Sequence, residues 1–542
     1  MSRYKVTLVF PPIDPPGVPS LPPVGLLKLG AILEKAGYEV SVMDFILLLR
    51  QRHIVRSKHI YRDIAQMIDE SKPAVVGFST QCASYPSCIN IARHLKFMRR
   101  DVTIVFGGPF SQLCADDSLR KFPEIDCVVL GEGEKTFLEM LRALENNLPL
   151  AQVEGIVFRE GDRVVATLPR SVITDLDSLP LPAYRLIDLR GSSGSPLDAY
   201  RSANRQVLKT EYPIKTLVDD GRGCPQRCSY CTEPLVWGPV RRRSPASIVN
   251  EIQWLQCAYG VEVVEFTHDN FTARRTDVVA LCDAFLQSEL DVNWVCRARL
   301  DKVDNSLLEK MSTAGCSEIV YGVESFSLDS LARLRKDMPR PEVLPDRIRE
   351  TVAHGIVPHL SFIVGLPEER PEQLEVTLRT VTELVAQTDG KAVPYLHLLC
   401  LLPRTELWLS SRHRLELRLT PDFCEGVAFD DEHMLPDDLD LICSDPGMFS
   451  SFYDVRTTHI PIDTIYVIHK CVPQLLRRNP NILLGLSVFG DHAILDFFNG
   501  FAEWIGERLG DVGQLRLLAE PDVFALIAEY NTVFCSFQLF GG

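Results

Sequence analysis

Short apolar runs rich in β-branched residues alternate with helical segments along most of the first 400 residues. The first series of runs begins with Lys5–Phe10 and ends with Cys127–Leu130. Each run is too short for a buried helix and stops at a turn-forming residue, which is typical of a strand. Between the first two runs, apolar residues at helical spacing predict a helix over Val24–Lys35 that stops at Gly37. Strands separated by helices predict a doubly wound α/β domain with a parallel sheet, which binds ligands at the carboxyl ends of its strands.

Small and polar residues follow the third, fourth and fifth runs of this series. A glycine after a strand is more often just a turn. At three neighbouring strand ends, however, glycines would let the backbone approach a bulky ligand closely. The candidate ligand contacts are Ser79, Thr80, Gly107, Gly108, Gly131, Glu132 and Gly133.

A second series of strands and helices begins near residue 213 and has a longer period. Its strands run from Thr216–Asp219, through Val261–Phe266, to Tyr395–Cys400. We count about six strand–helix units, fewer than the eight of a complete β/α barrel. The second series therefore predicts a partial barrel.

Four segments are predicted from these patterns. They are 1–150 with the first sheet, 151–212 with a hairpin and a linker, 213–405 with the partial barrel, and a mostly helical 406–542. The hairpin is predicted from Glu154–Arg159 and Arg163–Thr167, which flank a glycine turn. In the last segment a helix is predicted over Asp463–Arg478, with a break or kink around Pro473. This segment would cover the barrel and shape the substrate pocket.

Three cysteines, Cys224, Cys228 and Cys231, follow the first strand of the second series. Three thiolates in one loop can hold three irons of a 4Fe–4S cluster and leave the fourth iron for a small molecule, since such a cluster usually takes four protein ligands. An open ligand position is typical of a catalytic metal site. A structural zinc site is the alternative, but no second Cys or His pair follows at zinc spacing.

Charge and hydropathy restrict the classes of partner. The net charge of −15 argues against broad binding to nucleic-acid phosphates. The run Arg241–Arg243 could be a nucleic-acid patch, but a solvated turn ahead of the helix start at Ser244 is the favoured interpretation. Neither a membrane span nor a signal peptide is expected, because no apolar run approaches about 18 residues. The sixteen cysteines, scattered apart from the triplet, predict reduced thiols of a cytosolic protein.

The cysteine spacing after the first strand of a six-unit partial barrel resembles the radical S-adenosylmethionine (SAM) superfamily. In that family the cysteines ligate a 4Fe–4S cluster, and the amine and carboxylate of SAM bind its free iron. The SAM contacts that the resemblance implies are Tyr230 and Gly365 for adenine, Asp269 for the amine, Arg299 or its rival Arg297 for the carboxylate, and Glu324 and Ser325 for the ribose.

The first series resembles the cobalamin-binding domain at the front of many radical SAM enzymes. The strand-end residues named above carry this resemblance, together with Pro11–Pro12, Pro22–Leu27 and Gly37–Val40. Many such domains carry Asp-x-His-x-x-Gly, whose histidine ligates cobalt, but no Asp-x-His occurs in this chain. The nearby His53 and His59 are predicted to lie on a solvated face. The resemblance therefore implies cobalamin without a histidine ligand from the protein.

The resemblance implies an enzyme that uses a 4Fe–4S cluster, SAM and cobalamin. Its expected reaction is methyl transfer, by way of a 5′-deoxyadenosyl radical and methylcobalamin, to an unactivated carbon or a phosphinate phosphorus of a small molecule or peptide. Cyclisation, ring contraction or oxidation without net methylation is the alternative, and a non-catalytic cobalamin-responsive protein is a third hypothesis. The expected electron donor is a flavodoxin or ferredoxin, and neither nucleic acid nor a membrane is an expected partner. Methylthio transfer is disfavoured because Cys82, Cys88, Cys114 and Cys127 show no second-cluster spacing.

Overall fold

The computed structural model describes residues 4–13, 18–191, 194–338, 341–417, 434–487, 493–512, 515, 518 and 520–534. These residues form two compact units. The first unit comprises the described residues within 1–224, 232–267 and 424–449, and the second comprises those within 225–231, 268–423 and 450–542. The segment boundaries inferred from the sequence stay predictions. Within the described ranges, no helix has the length and apolar character needed to cross a bilayer.

A seven-stranded sheet lies at the centre of the first unit. In chain order its strands are β1 (Lys5–Phe10), β2 (Glu39–Asp44), β3 (Val75–Ser79), β4 (Thr103–Gly107), β5 (Cys127–Val129), β6 (Ile156–Glu160) and β7 (Arg163–Ala166). The spatial order is β2-β1-β3-β4-β5-β6-β7. The first five strands pair in parallel, and β6 and β7 add an antiparallel hairpin at one edge. The predicted parallel sheet and hairpin are both confirmed.

Helices connect these strands and bury their apolar faces. They are α1 (Val24–Lys35), α2 (Phe45–Arg50), α3 (Ile60–Asp69), α4 (Tyr85–Met98), α5 (Ala115–Lys121), α6 (Gly133–Glu145) and α7 (Pro196–Leu208). Ile60, Ile64 and Ile68 of α3 show the pattern, because residues four apart share a helix face and all three are fully buried. Helix α1 has the bounds predicted from the sequence.

The rest of the first unit carries the start of the second series. Its elements are β8 (Lys215–Val218), β9 (Gly221–Arg222), α8 (Glu233–Val236), β10 (Arg241–Arg242), α9 (Pro245–Tyr259) and β11 (Val263–Phe266). Strands β8 and β11 pair in parallel, and β9 and β10 form a short antiparallel ladder. The side chain of Ser244 caps α9 by accepting a hydrogen bond from the Ser247 amide, at 3.2 Å.

Four parallel strands dominate the second unit, where β12 (Asn293–Ala298), β13 (Cys316–Glu324), β14 (Val357–Val364) and β15 (Val393–Leu398) pair in that order. Alternate residues of β14 are buried, and those between them are half-buried, so one face of this sheet keeps access to solvent. With β8 and β11 these strands make the six predicted parallel strands. The accompanying elements are α10 (Arg275–Gln287), α11 (Asn305–Thr313), α12 (Leu328–Arg333), α13 (Leu344–Ala353), α14 (Pro371–Gln387), α15 (Glu406–Ser411) and β16 (Leu415–Leu417).

The remaining described elements are mostly helical, as the sequence predicts. They are α16 (Pro436–Ser444), which belongs to the first unit, and β17 (Tyr453–Val455), α17 (Ile462–Arg478), α18 (Asn481–Ser487), α19 (Ala493–Leu509) and α20 (Glu520–Phe534) of the second. Helix α17 continues through Pro473, so the alternative of a break there is wrong. The ring of His469 in α17 hydrogen-bonds the carbonyl oxygen of Leu396 in β15, which gives this edge strand a side-chain partner.

Candidate active site: a strand-end cavity and a SAM-type constellation

A cavity of about 360 Å³ opens at the carboxyl ends of β1, β3, β4 and β5 in the first unit. Its wall combines apolar side chains such as Phe10 and Phe106 with exposed backbone at the strand ends. No histidine is found among the described residues of this wall. His53 and His59 are exposed, as the sequence predicts. The predicted contacts that line the cavity are Ser79, Gly107, Gly108, Gly131, Glu132 and Gly133.

Thr80 is the one predicted contact that does not line this cavity. Its side chain is fully buried. Its hydroxyl donates to the carbonyl oxygen of Gly107 at 2.8 Å and accepts from the Ser111 amide at 3.0 Å. The backbone of Gly108, at a φ of +94°, packs so close that a Cβ there would lie 2.8 Å from the Thr80 nitrogen. Thr80 therefore shapes the cavity by fixing the loop after β4, and its direct contact with a ligand stays a prediction.

Arg222 closes one side of the cavity with a buried ion network. Its guanidinium lies 2.8 Å from Glu132, 2.6 Å from Glu134 and 3.0 Å from Asp219. It also lies 5.6 Å from the centre of the Trp237 ring, within range of a cation–π interaction. Burial alone would lower the pKa of Arg222, but the three carboxylates raise it above its ordinary value. The charge of Arg222 is therefore held permanently beside the cavity.

Lys28 and Arg241 complete this network. The ammonium of Lys28 lies 3.2 Å from Asp219, and Arg241 donates to Glu132 at 2.7 Å. Burial would raise the pKa of Asp219, but Lys28 and Arg222 lower it below its usual value. Three cations thus face three carboxylates in the dry interior of the first unit, which is the condition under which buried charges are tolerated.

The interpretation of Arg241–Arg243 as a solvated turn is wrong. Arg241 and Arg243 are only 8% and 7% exposed. Arg242 pairs with the carboxylate of Asp220, and Arg243 lies 2.5 Å from that of Glu251. A run of three arginines does not show by itself which carboxylates it pairs with, because Asp220 and Glu251 lie outside the run, 22 and 8 positions from their partners.

The three cysteines are all half-buried and are divided between the units. Cys224 belongs to the first unit, where it follows Gly223, whose φ is +82°. Cys228 and Cys231 belong to the second, where the Cys231 amide donates to the Cys228 carbonyl oxygen at 3.1 Å and forms a tight turn. Among the residues that the structure describes, no three His, Cys, Asp or Glu side chains are arranged around a single metal ion.

Tyr230 and Glu324 come together in the second unit. The Tyr230 hydroxyl donates to Glu324 Oε1 at 2.8 Å, and the ammonium of Lys336 lies 2.6 Å from the same oxygen. Glu324 adopts a φ of +64°, a strained conformation for a residue with a side chain. Burial and the Glu324 carboxylate raise the pKa of Tyr230 well above its ordinary value. Strain and a polar cluster at one strand end are typical of functional sites.

Ser325 and Gly365 follow the ends of β13 and β14. The Ser325 hydroxyl lies 2.9 Å from that of Thr377 and accepts a hydrogen bond from the Ser327 amide at 3.0 Å. Ser325 is only 1% exposed, so its hydroxyl fixes the turn after β13. Gly365 adopts a φ of +85° directly after Val364. Both residues thus lie at the carboxyl ends of the strands, the edge of the sheet where Glu324 lies.

Arg299 is held by groups of the fold itself. Its guanidinium donates to Asp301 at 2.8 Å and to the backbone oxygen of Asp337 at 2.5 Å, and its side chain is 7% exposed. Arg297 instead lies 3.9 Å from Asp269, and these two side chains are 39% and 49% exposed. The structure therefore brings Asp269 together with Arg297, the rival candidate, and leaves Arg297 the more accessible of the two arginines.

A row of flat polar rings on the accessible face of β14 and β15 was missed by the sequence reasoning. The Tyr395 ring stacks against His359 at a centroid distance of 5.8 Å and against His397 at 6.3 Å. Burial and the neighbouring His469 lower the pKa of His397. The period-2 alternation of Tyr395 and His397 in the strand was the available signal, because barrel interiors usually hold branched apolar side chains.

Comparison with known proteins identifies two domains in this chain. Residues 18–141 match the B12 binding domain family, and residues 218–381 match the radical SAM superfamily. The chain belongs to the cobalamin-binding radical SAM enzymes. It therefore uses cobalamin, SAM and a 4Fe–4S cluster. The residues present fit these groups: the cavity offers glycine backbone at the strand ends, with no histidine among its described lining residues, and the loop offers three half-buried thiols.

Two relatives and one solved structure illustrate the family. The chain is 27% identical to an uncharacterized methyltransferase of Pyrococcus horikoshii, over 75% of this chain and 83% of the relative. It is 28% identical to an anaerobic magnesium-protoporphyrin IX monomethyl ester cyclase of Synechocystis, over 65% of this chain and 66% of the relative. The radical SAM methyltransferase TsrM of Kitasatospora setae, solved with cobalamin and a [4Fe-4S] cluster, shares its fold with a TM-score of 0.59 at 18% identity, over 94% of this chain and 99% of that one.

Proposed function

We propose that this radical SAM enzyme is a cobalamin-dependent methyltransferase that acts on an unactivated carbon, or a phosphinate phosphorus, of a small molecule or peptide. The observation that carries the proposal is the combination, in one chain, of a cobalamin domain without an Asp-x-His motif and a SAM-type constellation at Tyr230 and Glu324. The match to a relative named as a methyltransferase supports it. A flavodoxin or ferredoxin would supply electrons.

The residues divide into three sets by the group that they would hold. Cys224, Cys228 and Cys231 would ligate the cluster. For the carboxylate of SAM we favour Arg297 over Arg299, because the Arg297 side chain is 39% exposed and that of Arg299 only 7%. The remaining SAM contacts would be Tyr230, Asp269, Glu324, Ser325 and Gly365, and the cobalamin contacts would be Ser79, Gly107, Gly108, Gly131, Glu132 and Gly133, with Thr80 holding their loop.

The chain's own residues bind and orient the cofactors and the substrate, and they exclude water from the site. When bound, the cofactors supply a low-potential electron for cleavage of the sulfonium bond and a carrier for the methyl group. Lys336 and the Tyr230 hydroxyl hold Glu324 in one orientation by sharing its Oε1. Its second oxygen would then accept a hydrogen bond from a ribose hydroxyl. The Tyr230 ring packs against the apolar cluster formed by Leu334, Leu366, Leu399, Leu401 and Val455.

The accessible face of β14 and β15 is the proposed substrate wall. Glu318 accepts a hydrogen bond from His359 at 2.9 Å, and Tyr395 is 38% exposed beside it. Because the interior of a complete barrel is filled mostly by branched apolar side chains, we infer that these accessible polar side chains would position the substrate. Flat polar rings suit a substrate with a planar or polar part.

Replacement of Glu324 with Gln should weaken SAM binding by roughly 10- to 100-fold, because a hydrogen bond to a charged group contributes about 1.5–3 kcal/mol. Calorimetric titration of the anaerobic, cluster-loaded protein with SAM measures this change. Glu309→Gln is the matched control, since Glu309 is exposed on α11 and should bind SAM like the parent. Equal affinities for the Glu324 variant and the parent would remove Glu324 from the SAM site.

The proposed methyl transfer is tested with SAM that carries a ¹³C-labelled methyl group. The reconstituted full chain is incubated anaerobically with cobalamin, dithionite and a metabolite extract of its source. We expect 5′-deoxyadenosine together with a product that has gained one labelled methyl group. If neither compound forms, the proposal is wrong.

A second candidate is cyclisation, ring contraction or oxidation without net methylation. The match to the Synechocystis cyclase favours it. In the same experiment it gives 5′-deoxyadenosine and an altered product without the label, which separates it from methyl transfer.

A further inference from the structure

We propose that Arg222 is a positioning residue that couples cobalamin occupancy of the strand-end cavity to the geometry of the loop that carries Cys224. The inference rests on the proposed function, because it takes the cavity as the cobalamin site and Cys224 as a cluster ligand. It goes further by making the two cofactor sites energetically dependent on each other through one side chain.

Arg222 belongs to both places at once. Its side chain lines the cavity beside Glu132, Glu134 and Trp237. Its backbone forms β9 and lies two residues before Cys224 in the sequence. A ligand that presses on the cavity wall therefore acts on the residue that leads into the cysteine loop.

The contacts of Arg222 are rigid and dry. Its side chain is 10% exposed, and those of Glu132, Glu134 and Asp219 are 4%, 11% and 10% exposed. A planar guanidinium fits several carboxylates only in fixed directions. Because separation of buried opposite charges is costly, a shift of Glu132 and Glu134 would be followed by Arg222. Glu132 stands at the N-cap position of α6 and Glu134 in its first turn, so these carboxylates move with the helix start that borders the cavity.

Close contacts with β10 and Gly238 restrict the movement of β9. Arg241 pairs with Arg222 across the β9–β10 ladder and binds the same Glu132 oxygen at 2.7 Å. Arg241 also donates to the backbone oxygen of Ile173 at 2.8 Å. At Gly223, a Cβ would lie 2.5 Å from the Gly238 oxygen, so the backbone there is in close contact with its neighbour. Displacement of Arg222 is therefore passed along the chain toward Cys224.

This role differs measurably from a merely structural one. Two linked sites change each other's affinity by the same factor, typically about 5- to 150-fold. A purely structural Arg222 would change cobalamin affinity equally whether or not the cluster is present. A coupling Arg222 makes that affinity depend on the cluster, and its removal abolishes the dependence.

The experiment measures the affinity of the full-length chain for hydroxocobalamin by absorbance titration, before and after anaerobic cluster reconstitution. In the parent we expect roughly tenfold tighter binding with the cluster present. In Arg222→Met the ratio of the two affinities should fall to about one, because methionine cannot bind the carboxylates. Arg222→Lys should give an intermediate ratio, since an ammonium lacks the planar fork.

Arg99→Met is the matched control. Arg99 lies 3.1 Å from Asp69 in the same unit, is 18% exposed and does not line the cavity, so its variant should keep the parent ratio. If Arg222→Met fails to fold, the nearly isosteric Glu134→Gln serves instead and should also lower the ratio. A parent ratio of one, or an unchanged ratio in the folded variants, would overturn the coupling. A parent chain that binds no cobalamin or assembles no cluster would instead refute the proposed function, and this inference with it.

Discussion

Replacement of Cys228 with Ala should abolish SAM cleavage while cobalamin binding persists. The variant leaves only two cysteines in the loop, Cys224 and Cys231. A 4Fe–4S cluster with one open iron needs three protein thiolates, so the variant cannot hold it. Formation of 5′-deoxyadenosine should fall to background, a loss of about 10⁶-fold or more on the scale of enzymatic rate enhancements. The measurement is 5′-deoxyadenosine by chromatography after anaerobic incubation with dithionite and SAM.

Cobalamin binding is the second measurement on the same variant. The cavity lies in the first unit and Cys228 in the second, so hydroxocobalamin should still bind, with the lower affinity expected of the cluster-free parent. Cys257→Ala is the matched control, because Cys257 is exposed on α9 and its variant should cleave SAM like the parent. Cleavage at the parent rate by Cys228→Ala would show that the cluster is held elsewhere.

A single methyl group at Gly223 should prevent stable cluster assembly. The φ of +82° at this position costs a residue with a side chain roughly 1–2 kcal/mol. The added Cβ would also lie 2.5 Å from the Gly238 oxygen and still closer to that of Pro239. The backbone ahead of Cys224 must therefore move. We expect the iron and sulfide content of Gly223→Ala after reconstitution to be about tenfold lower than that of the parent, or less, since 1.4 kcal/mol corresponds to a factor of ten.

Gly161→Ala separates the effect of position from that of conformation. Gly161 lies in the turn between β6 and β7 with a φ of +60°, and a Cβ there meets no atom within 4 Å. The Gly161→Ala variant has the same conformational cost as Gly223→Ala, but its added Cβ collides with no other atom. It should therefore retain its cluster. Full cluster content in Gly223→Ala would mean that the loop tolerates a shift and that the close packing of Gly223 has no role in ligand placement.

Local sequence patterns predicted the elements and the candidate residues close to strand ends. Helix α1 and the hairpin of β6 and β7 follow from apolar periodicity and turn residues, which depend on neighbours only a few positions away. The same reasoning correctly expected His53 and His59 to be exposed. It failed for Arg241 and Arg243, because a local pattern of cations does not show which carboxylates the fold brings against them, whether 109 positions away for Arg241 or 8 for Arg243.

The candidate site was predictable only in part for the same reason. Tyr230 and Glu324 were each visible in a motif, but Lys336, which fixes Glu324, stands in no motif. Arg299 stays a prediction for the carboxylate of SAM. It occupies a plausible position after β12, yet Asp301 and the backbone of Asp337 take its guanidinium, and Arg297 remains more accessible.

The sequence by itself determined the alternation of strands and helices, the cysteine spacing and the absence of a cobalt-binding histidine motif, since each is written in residues close together along the chain. Only the tertiary structure decided which charges meet. Arg222 and Glu132 are 90 positions apart, and Tyr230 and Glu324 are 94 apart. Such pairs form when folding brings strand ends to one edge of a sheet and removes water from between them, which no local pattern encodes.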